Sequence, residues 1–329
     1  MERTDRLPIR LRLLAVLMRA MPKGIRKVSW WWDRLYRYIG GGGFEDNEAI
    51  DSLWPSGERG PIRNGRFGYI AFLDLQVFAE RRIYFSGAYI QRDLEYLFPL
   101  LIKQGDQYLD IGANIGMTAM MASVLIGRRG KGLAFEPNPE VFARLKRHFE
   151  LNHISNIEPV PVALSNQEAE MNLFVPNRFS GYGSLSAAPG VSGRSFTIRT
   201  VRGGPYIDSL DPAKATIIKI DVEGFEVKAL SGIEDFLGQP EVAIVSEVSV
   251  GLLRRAGDSP EALFELLTKH GFRPFTFELR SGRFQTDLAI TAVESFSDAI
   301  PEDWRDFLFA KPTSKIYRER IAPLLTDSR

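Results

Sequence analysis

The segment YLDIGANIGMTAMMAS, Tyr108 to Ser123, constrains this chain more than any other. An apolar run ends in Asp110, passes two glycines four residues apart (Gly112 and Gly116), and continues as a helical stretch. Glycines at such a junction let the backbone turn sharply and let a ligand approach closely. The helix that follows opens with free N–H groups able to meet an anion. The same strand-then-helix rhythm recurs downstream. Strands are expected at 132–135, 160–164, 216–221 and 242–245, and helices at 93–103, 115–126, 140–151, 225–237 and 260–270. Short strands are expected at 69–75, 82–85, 171–175 and 196–201, and a closing hairpin at 272–277 and 288–293. Alternating β and α predicts an α/β, Rossmann-like fold, a mostly parallel sheet covered by helices on both faces.

Four of these strands end in acids: Asp110, Glu136, Asp221 and Glu247. Open α/β sheets bind ligands outside the carboxyl ends of their strands, and an acid at the second strand's end typically receives ribose hydroxyls. Glu136 holds that place. A dinucleotide fold would show G-x-G-x-x-G, which is absent, and Asp110 would repel a pyrophosphate. An acid at this tip pairs with an ammonium group instead. S-adenosylmethionine (SAM) carries an ammonium and a ribose and no phosphate, so the loop suits SAM better than NAD.

The stretches LDIGANIG, AFEPNP, VALSN and IKIDVEGFEVKALSG, taken together, resemble the FkbM-type family of SAM-dependent methyltransferases. The resemblance runs from about Gly87 to Phe277. It implies a class I methyltransferase fold, with a seven-stranded sheet whose last strand is antiparallel, and methyl transfer to a hydroxyl of a sugar, glycan or natural product. The family often opens with an acid directly after a tyrosine. Here GAYIQRD has none after Tyr89.

On this reading Asp110, Gly112, Ala113, Asn114 and Gly116 cradle the methionine end. Glu136 holds the ribose beside Pro137 and Asn138, and Ala163 and Leu164 border the adenine. Asp221, Glu223 and Glu247 line the reacting end, with Asp221 also touching the cofactor. Clustered carboxylates raise one another's pKa, which suits one of them to act as base. Asp221 with Glu247 is the pair to test for Mg²⁺, although metal-free chemistry is favoured because no third ligand is visible. Glu226 stands in the first turn of a helix, where its charge favours the dipole. His148, His153 and His270 sit near helix ends and are read as structural.

Other features bound the function. The chain has 329 residues, no cysteine and three histidines, so disulfides, thiolate metal sites and a cysteine nucleophile are excluded. The net charge of +1 makes no case for nucleic acid. Residues 1–38 carry ten Lys/Arg against three Asp/Glu. Leu7, Leu11, Leu14, Met18 and Met21 form an apolar helical stripe there, followed by Trp30, Trp31 and Trp32. The stripe fits a helix packing on the main domain or on a second copy of the chain. A peripheral membrane contact is the alternative. The longest apolar run is too short to span a bilayer, and a cytoplasmic protein is expected. Residues 1–60 are set apart as an extension and linker, 61–311 as the methyltransferase domain and 312–329 as a tail. The Ser/Gly-rich stretch 179–195, with Tyr182 and Ser184, is a candidate lid. Two alternatives remain at this level, an NAD-dependent oxidoreductase and an inactive membrane-associated scaffold of the same fold.

Overall fold

The computed structural model describes residues 57–176, 193–281, 286–294 and 304–326. The basic extension through residue 56 and most of the Ser/Gly-rich stretch, with Tyr182 and Ser184, lie outside the described residues. The chain divides into two compact units, one holding the described residues up to Ile90 together with Pro176, the other beginning at Gln91.

In the first unit, β1 (Glu58–Arg63) pairs antiparallel with β2 (Ile70–Asp74), and α1 (Phe78–Ser86) follows. Asn64 shapes the connecting turn, because its Oδ1 accepts from the N–H groups of Arg66 and Phe67 at 2.9 and 2.8 Å. The expected strand at 82–85 is instead part of α1. Its aromatic and β-branched residues suggest a strand, but Gly87 closes a helix there in the left-handed conformation, donating to the Ile83 carbonyl.

The second unit carries α2 (Arg92–Leu101), β3 (Gln107–Ile111), α3 (Met117–Ile126), β4 (Lys131–Phe135), α4 (Pro139–Leu151) and β5 (Ile157–Val160). Next come β6 (Ala163–Leu164), β7 (Ala169–Pro176), β8 (Gly193–Val201) and α5 (Gly204–Ile207). Then follow β9 (Thr216–Ile220), α6 (Glu226–Ser231), α7 (Glu234–Leu237), β10 (Val242–Ser249), α8 (Val250–Arg255) and α9 (Pro260–Lys269). The series ends with β11 (Arg273–Ser281), β12 (Thr286–Ala292) and β13 (Trp304–Ala310). The main sheet has the order β12-β11-β13-β10-β9-β3-β4-β5. Strands β5, β4, β3, β9 and β10 are parallel, and β13 runs antiparallel between β10 and β11. The expected α/β sheet with an antiparallel last strand is therefore present, with β12 added at the edge as an eighth strand. Strands β6, β8 and β7 form a separate small sheet.

Three boundaries differ from those expected. The strand expected at 160–164 is split, because Pro161 has no N–H for a ladder. The helix expected at 225–237 breaks into α6 and α7 at Gly232, where a Cβ would crowd the Ser165 carbonyl. Residues set apart as a tail pack into the second unit: Ile321 is buried, and the Arg320 guanidinium binds the Asp106 carboxylate.

Strand alternation assigns the faces. Leu109, Ile111, Ile218 and Ile220 join a core cluster with Ala229 and Leu230 of α6 and Leu263, Phe264 and Leu267 of α9. Tyr108 and Asp110 point to the opposite face. There Phe98 of α2 meets the Tyr108 ring edge-on at 5.9 Å, and Thr118 of α3 reaches Asp110. Opposite faces of one strand thus do different work, packing on one side and holding buried polar groups on the other.

Candidate active site

Register builds the site. Asp110 lies level with Ala134 and Lys219, and Lys219 is level with Val245. One residue on, Phe135, Ile111, Ile220 and Ser246 form the next level, with Phe307 opposite Ser246. One residue further still, the strand tips present Glu136, Gly112, Asp221, Glu247 and Asp306. Glu247 and Asp306 are direct partners in the antiparallel ladder. Because side chains alternate with a period of two, this acidic row shares a face with Asp110 and Lys219 two residues below.

Gly112 is the gap in the row. Its φ is +83°, and a Cβ there would collide with the backbone carbonyl of Asp221. The N–H groups of Gly112 and Ala113 both donate to Phe135 O, at 3.0 and 2.9 Å. Asn114 follows with φ 51°, in the left-handed region that asparagine tolerates better than most residues. Gly116 (φ +87°) starts α3, and a Cβ there would run into the Leu145 side chain of α4. The turn is therefore pinned on three sides by its neighbours.

Glu136 is anchored at both oxygens. Oε2 accepts from Asn114 N at 2.9 Å and Oε1 from Asn138 N at 2.8 Å. Burial pushes its pKa up to about 7, and these two N–H groups hold it from rising further. The Asn138 side chain caps α4, accepting from Glu140 N at 3.0 Å and Val141 N at 3.4 Å. Leu164 packs into the main core, and Ala163 is half-buried against the small sheet. Pro137 is half-buried.

Asp110 is fully buried. Its Oδ2 accepts from Thr118 Oγ1 at 2.7 Å and from the Tyr108 hydroxyl at 3.4 Å, while Oδ1 has no hydrogen-bond partner. Burial raises its pKa against the opposing pull of Lys219 and Thr118. Lys219 is itself 4% exposed and places Nζ 3.0 Å from Asp221 Oδ2. Such a pair is costly to break from one side, since the remaining ion is left without its partner.

At the other end of the row the carboxyls crowd. Glu223 (φ 54°) is pushed up to about 8 by burial, then by Asp221 and Glu226. Glu247 is pushed up to about 10 by burial, then by Asp221, Asp306 and Glu223. Burial and Asp221 raise Asp306 to about 7. The Gln91 amide donates to Glu247 Oε2 at 3.2 Å. Glu226 folds back from the head of α6, and its Oε1 accepts from Gly224 N at 3.2 Å and Val222 N at 3.3 Å. It holds the turn that carries Glu223, a more specific role than the dipole alone provides.

The structure thus gathers Asp110, Gly112, Ala113, Asn114, Gly116, Glu136, Asp221, Glu223 and Glu247 at one sheet edge. Sequence reasoning missed Lys219 and Asp306. Lys219 stands inside the quoted IKIDVEG stretch, and a lysine in an otherwise apolar strand was the available signal. The signal for Asp306 was the adjoining run FLFA. Among the described residues no group of three or more His, Asp or Glu side chains is placed to hold a metal ion, and Asp221 is already committed to Lys219. The histidines serve the scaffold: His148 Nδ1 lies 2.8 Å from Ile115 O, and His270 Nε2 lies 3.2 Å from Glu234 Oε1. His153 (φ 53°) follows α4.

A family model described as methyltransferase FkbM domain matches residues 110–274, about half of the chain and the whole stretch from Asp110 to α9. The chain belongs to the FkbM methyltransferase family. Its curated relatives include the hexuronic acid methyltransferase AglP of Haloferax volcanii, 29% identical over 150 residues, 46% of this chain and 59% of that protein. The chain thus spans about three fifths of that relative's length. Similar solved structures include a methyltransferase FkbM from Methylobacillus flagellatus (16% identity, TM-score 0.37, covering 66% of this chain and 47% of that one). Another is a methyltransferase from Streptococcus mutans in complex with S-adenosylhomocysteine (SAH) (12% identity, TM-score 0.36, covering 67% and 96%). Among the described residues no helix is long and apolar enough to cross a membrane.

Proposed function

We propose that this FkbM-family chain is a SAM-dependent O-methyltransferase acting on a hydroxyl of a sugar or glycan. The observation that carries the cofactor assignment is the state of Asp110, a sealed carboxylate with one oxygen unpartnered beside the Gly112 turn. That oxygen suits an ammonium donor and would repel a pyrophosphate. Glu136, fixed by two backbone N–H groups, keeps lone pairs for ribose hydroxyls. The choice of a sugar hydroxyl is supported by the relative named for hexuronic acid.

SAM bound here would supply an electrophilic methyl group to the acceptor oxygen at the expense of its own S–C bond, leaving the hydroxyl proton to a base. The chain's own part is to align the acceptor and exclude water. Asp221, Glu223 and Glu247 line the reacting end, where a positioned carboxylate is the group within reach to take the hydroxyl proton. Lys219 keeps Asp221 in place beside Gly112. Isothermal calorimetry with SAH tests the assignment. Binding by the wild type and at least tenfold weaker binding by Glu136→Ala are expected. No heat with SAH, or unchanged affinity in the variant, would refute it.

A further inference from the structure

The acidic row continues past the residues matched by the family model. Its last member, Asp306, sits on β13 directly opposite Glu247 in the ladder, so both side chains leave the same face. Asp93, near the start of α2, also acts on Asp306, and Gln91 from the same turn binds Glu247. Among the described residues, Lys219 is the one cation that acts on both Glu247 and Asp306, and it is paired with Asp221 at 3.0 Å. Arg92 and Arg255 act on Asp93 and Glu223 but are exposed, where solvent screens them.

One sealed oxygen at this end of the row calls for a ligand's donor. It is Gln91 Oε1, whose amide nitrogen holds Glu247. A buried acceptor atom left unpaired is unfavourable. A hydroxyl or ammonium group supplies the missing donor; a carboxylate cannot.

We propose that Asp306 joins Glu247 as the receiving end for the acceptor, and that the acceptor unit is a sugar without negative charge, neutral or amino, rather than a uronate. The inference rests on the sugar-methylating reading of this site and sharpens it. Carboxyls crowded together cannot all ionise, so one keeps its proton and can donate while its neighbour accepts. Burial and the neighbouring acids raise Glu247 and Asp306 in this way. A neutral sugar hydroxyl can use both roles. An ammonium would draw the protons off and pair with the carboxylates. A uronate would add a negative charge to a low-dielectric group that already holds more acids than cations, which is strongly unfavourable.

Saturation-transfer NMR on the full chain, with and without SAH, tests this using methyl glucoside, methyl glucosaminide and methyl glucuronide as probes. The glucoside and glucosaminide are expected to bind at least tenfold more tightly than the glucuronide. Asp306→Asn is expected to shrink that margin to about threefold or less, with SAH affinity unchanged. Glu247→Gln should do the same if the first variant folds poorly. Equal or tighter glucuronide binding, no binding of any of the three, or a margin that neither variant alters would overturn the proposal. A cofactor failure reads separately: no SAH heat with the glycosides still ranked as expected sinks the SAM assignment and leaves the acceptor class standing.

Discussion

Replacing Glu247 by glutamine is expected to stabilise the ligand-free protein. The folded-state pKa of Glu247 is pushed up to about 10, from an ordinary 4.5, by burial and then by Asp221, Asp306 and Glu223. For an acid raised on folding, the folded state holds a proton that the unfolded chain has released. Its stabilising contribution is fully present below the unfolded pKa and is lost as pH rises toward the folded one. Through the neutral range this one group therefore costs the wild type about 1.4 kcal/mol per pH unit, or about 3 kcal/mol near pH 7. Glutamine has no such proton to take up. It keeps the shape, and its carbonyl can still accept from the Gln91 amide, now 3.2 Å from Glu247 Oε2. The gain of Glu247→Gln over the wild type should grow from about 2 kcal/mol near pH 6 to about 5 kcal/mol near pH 8. Urea unfolding of both proteins across that range measures it. A variant that is less stable, or a gain that does not change with pH, would show that Glu247 is not a buried proton holder.

Further outcomes follow from the same geometry. SAH affinity is expected to fall about tenfold per pH unit below about 7, because Glu136 must be ionised to accept from the ribose and its pKa is raised to about 7; calorimetry at several pH values reads this, and a flat profile would argue against Glu136 as the ribose partner. Gly112→Ala is expected to cost at least about 2 kcal/mol in unfolding experiments, since alanine is strained at φ +83° and its Cβ meets the Asp221 carbonyl. Lys219→Met should destabilise by about 3 kcal/mol, by leaving Asp221 and buried Asp110 without their cation; the loss should shrink as pH falls and the acids protonate. Glu226→Ala is expected to lower kcat for methyl transfer more than it weakens SAH binding, because it frees the turn that carries Glu223.

The central strands were legible because each joins a chemical signal to a mechanical one. Around Asp110, an apolar run, a glycine turn and a helix could only be one kind of junction, and the tip acids followed from where strands end. The strand at 82–85 was misread because Arg82–Phe85 has a strand's composition, whereas the helix is decided at its end by Gly87. Strand β13 was missed for a topological reason. It enters the sheet between β10 and β11, two strands already formed earlier in the chain, so nothing in its neighbouring sequence announces its partners. With β13 went Asp306, whose role depends entirely on facing Glu247 across the ladder.

Lys219 was illegible for a different reason, and it shows how the row is organised. A lone lysine within TIIKI reads locally as a strand residue turned to solvent. Only the register places it level with Asp110 and two residues below Asp221, sealed beneath the acids. With so many carboxyls at one sheet edge, repulsion would otherwise favour protonating them all. A single cation lies under the middle of the row: it is bonded to Asp221 and pulls down Glu136, Glu223, Glu247 and Asp306 against the effect of burial. Gly112, with no side chain, lets the Asp221 backbone pack directly against the turn. The row is thereby divided into a cofactor side, where Glu136 is tuned by backbone N–H groups, and an acceptor side, where Glu247 and Asp306 are raised by burial and by Asp221. That division makes the two sides separately testable: a substitution at Asp306 should leave SAH binding intact, and one at Glu136 should leave sugar binding intact.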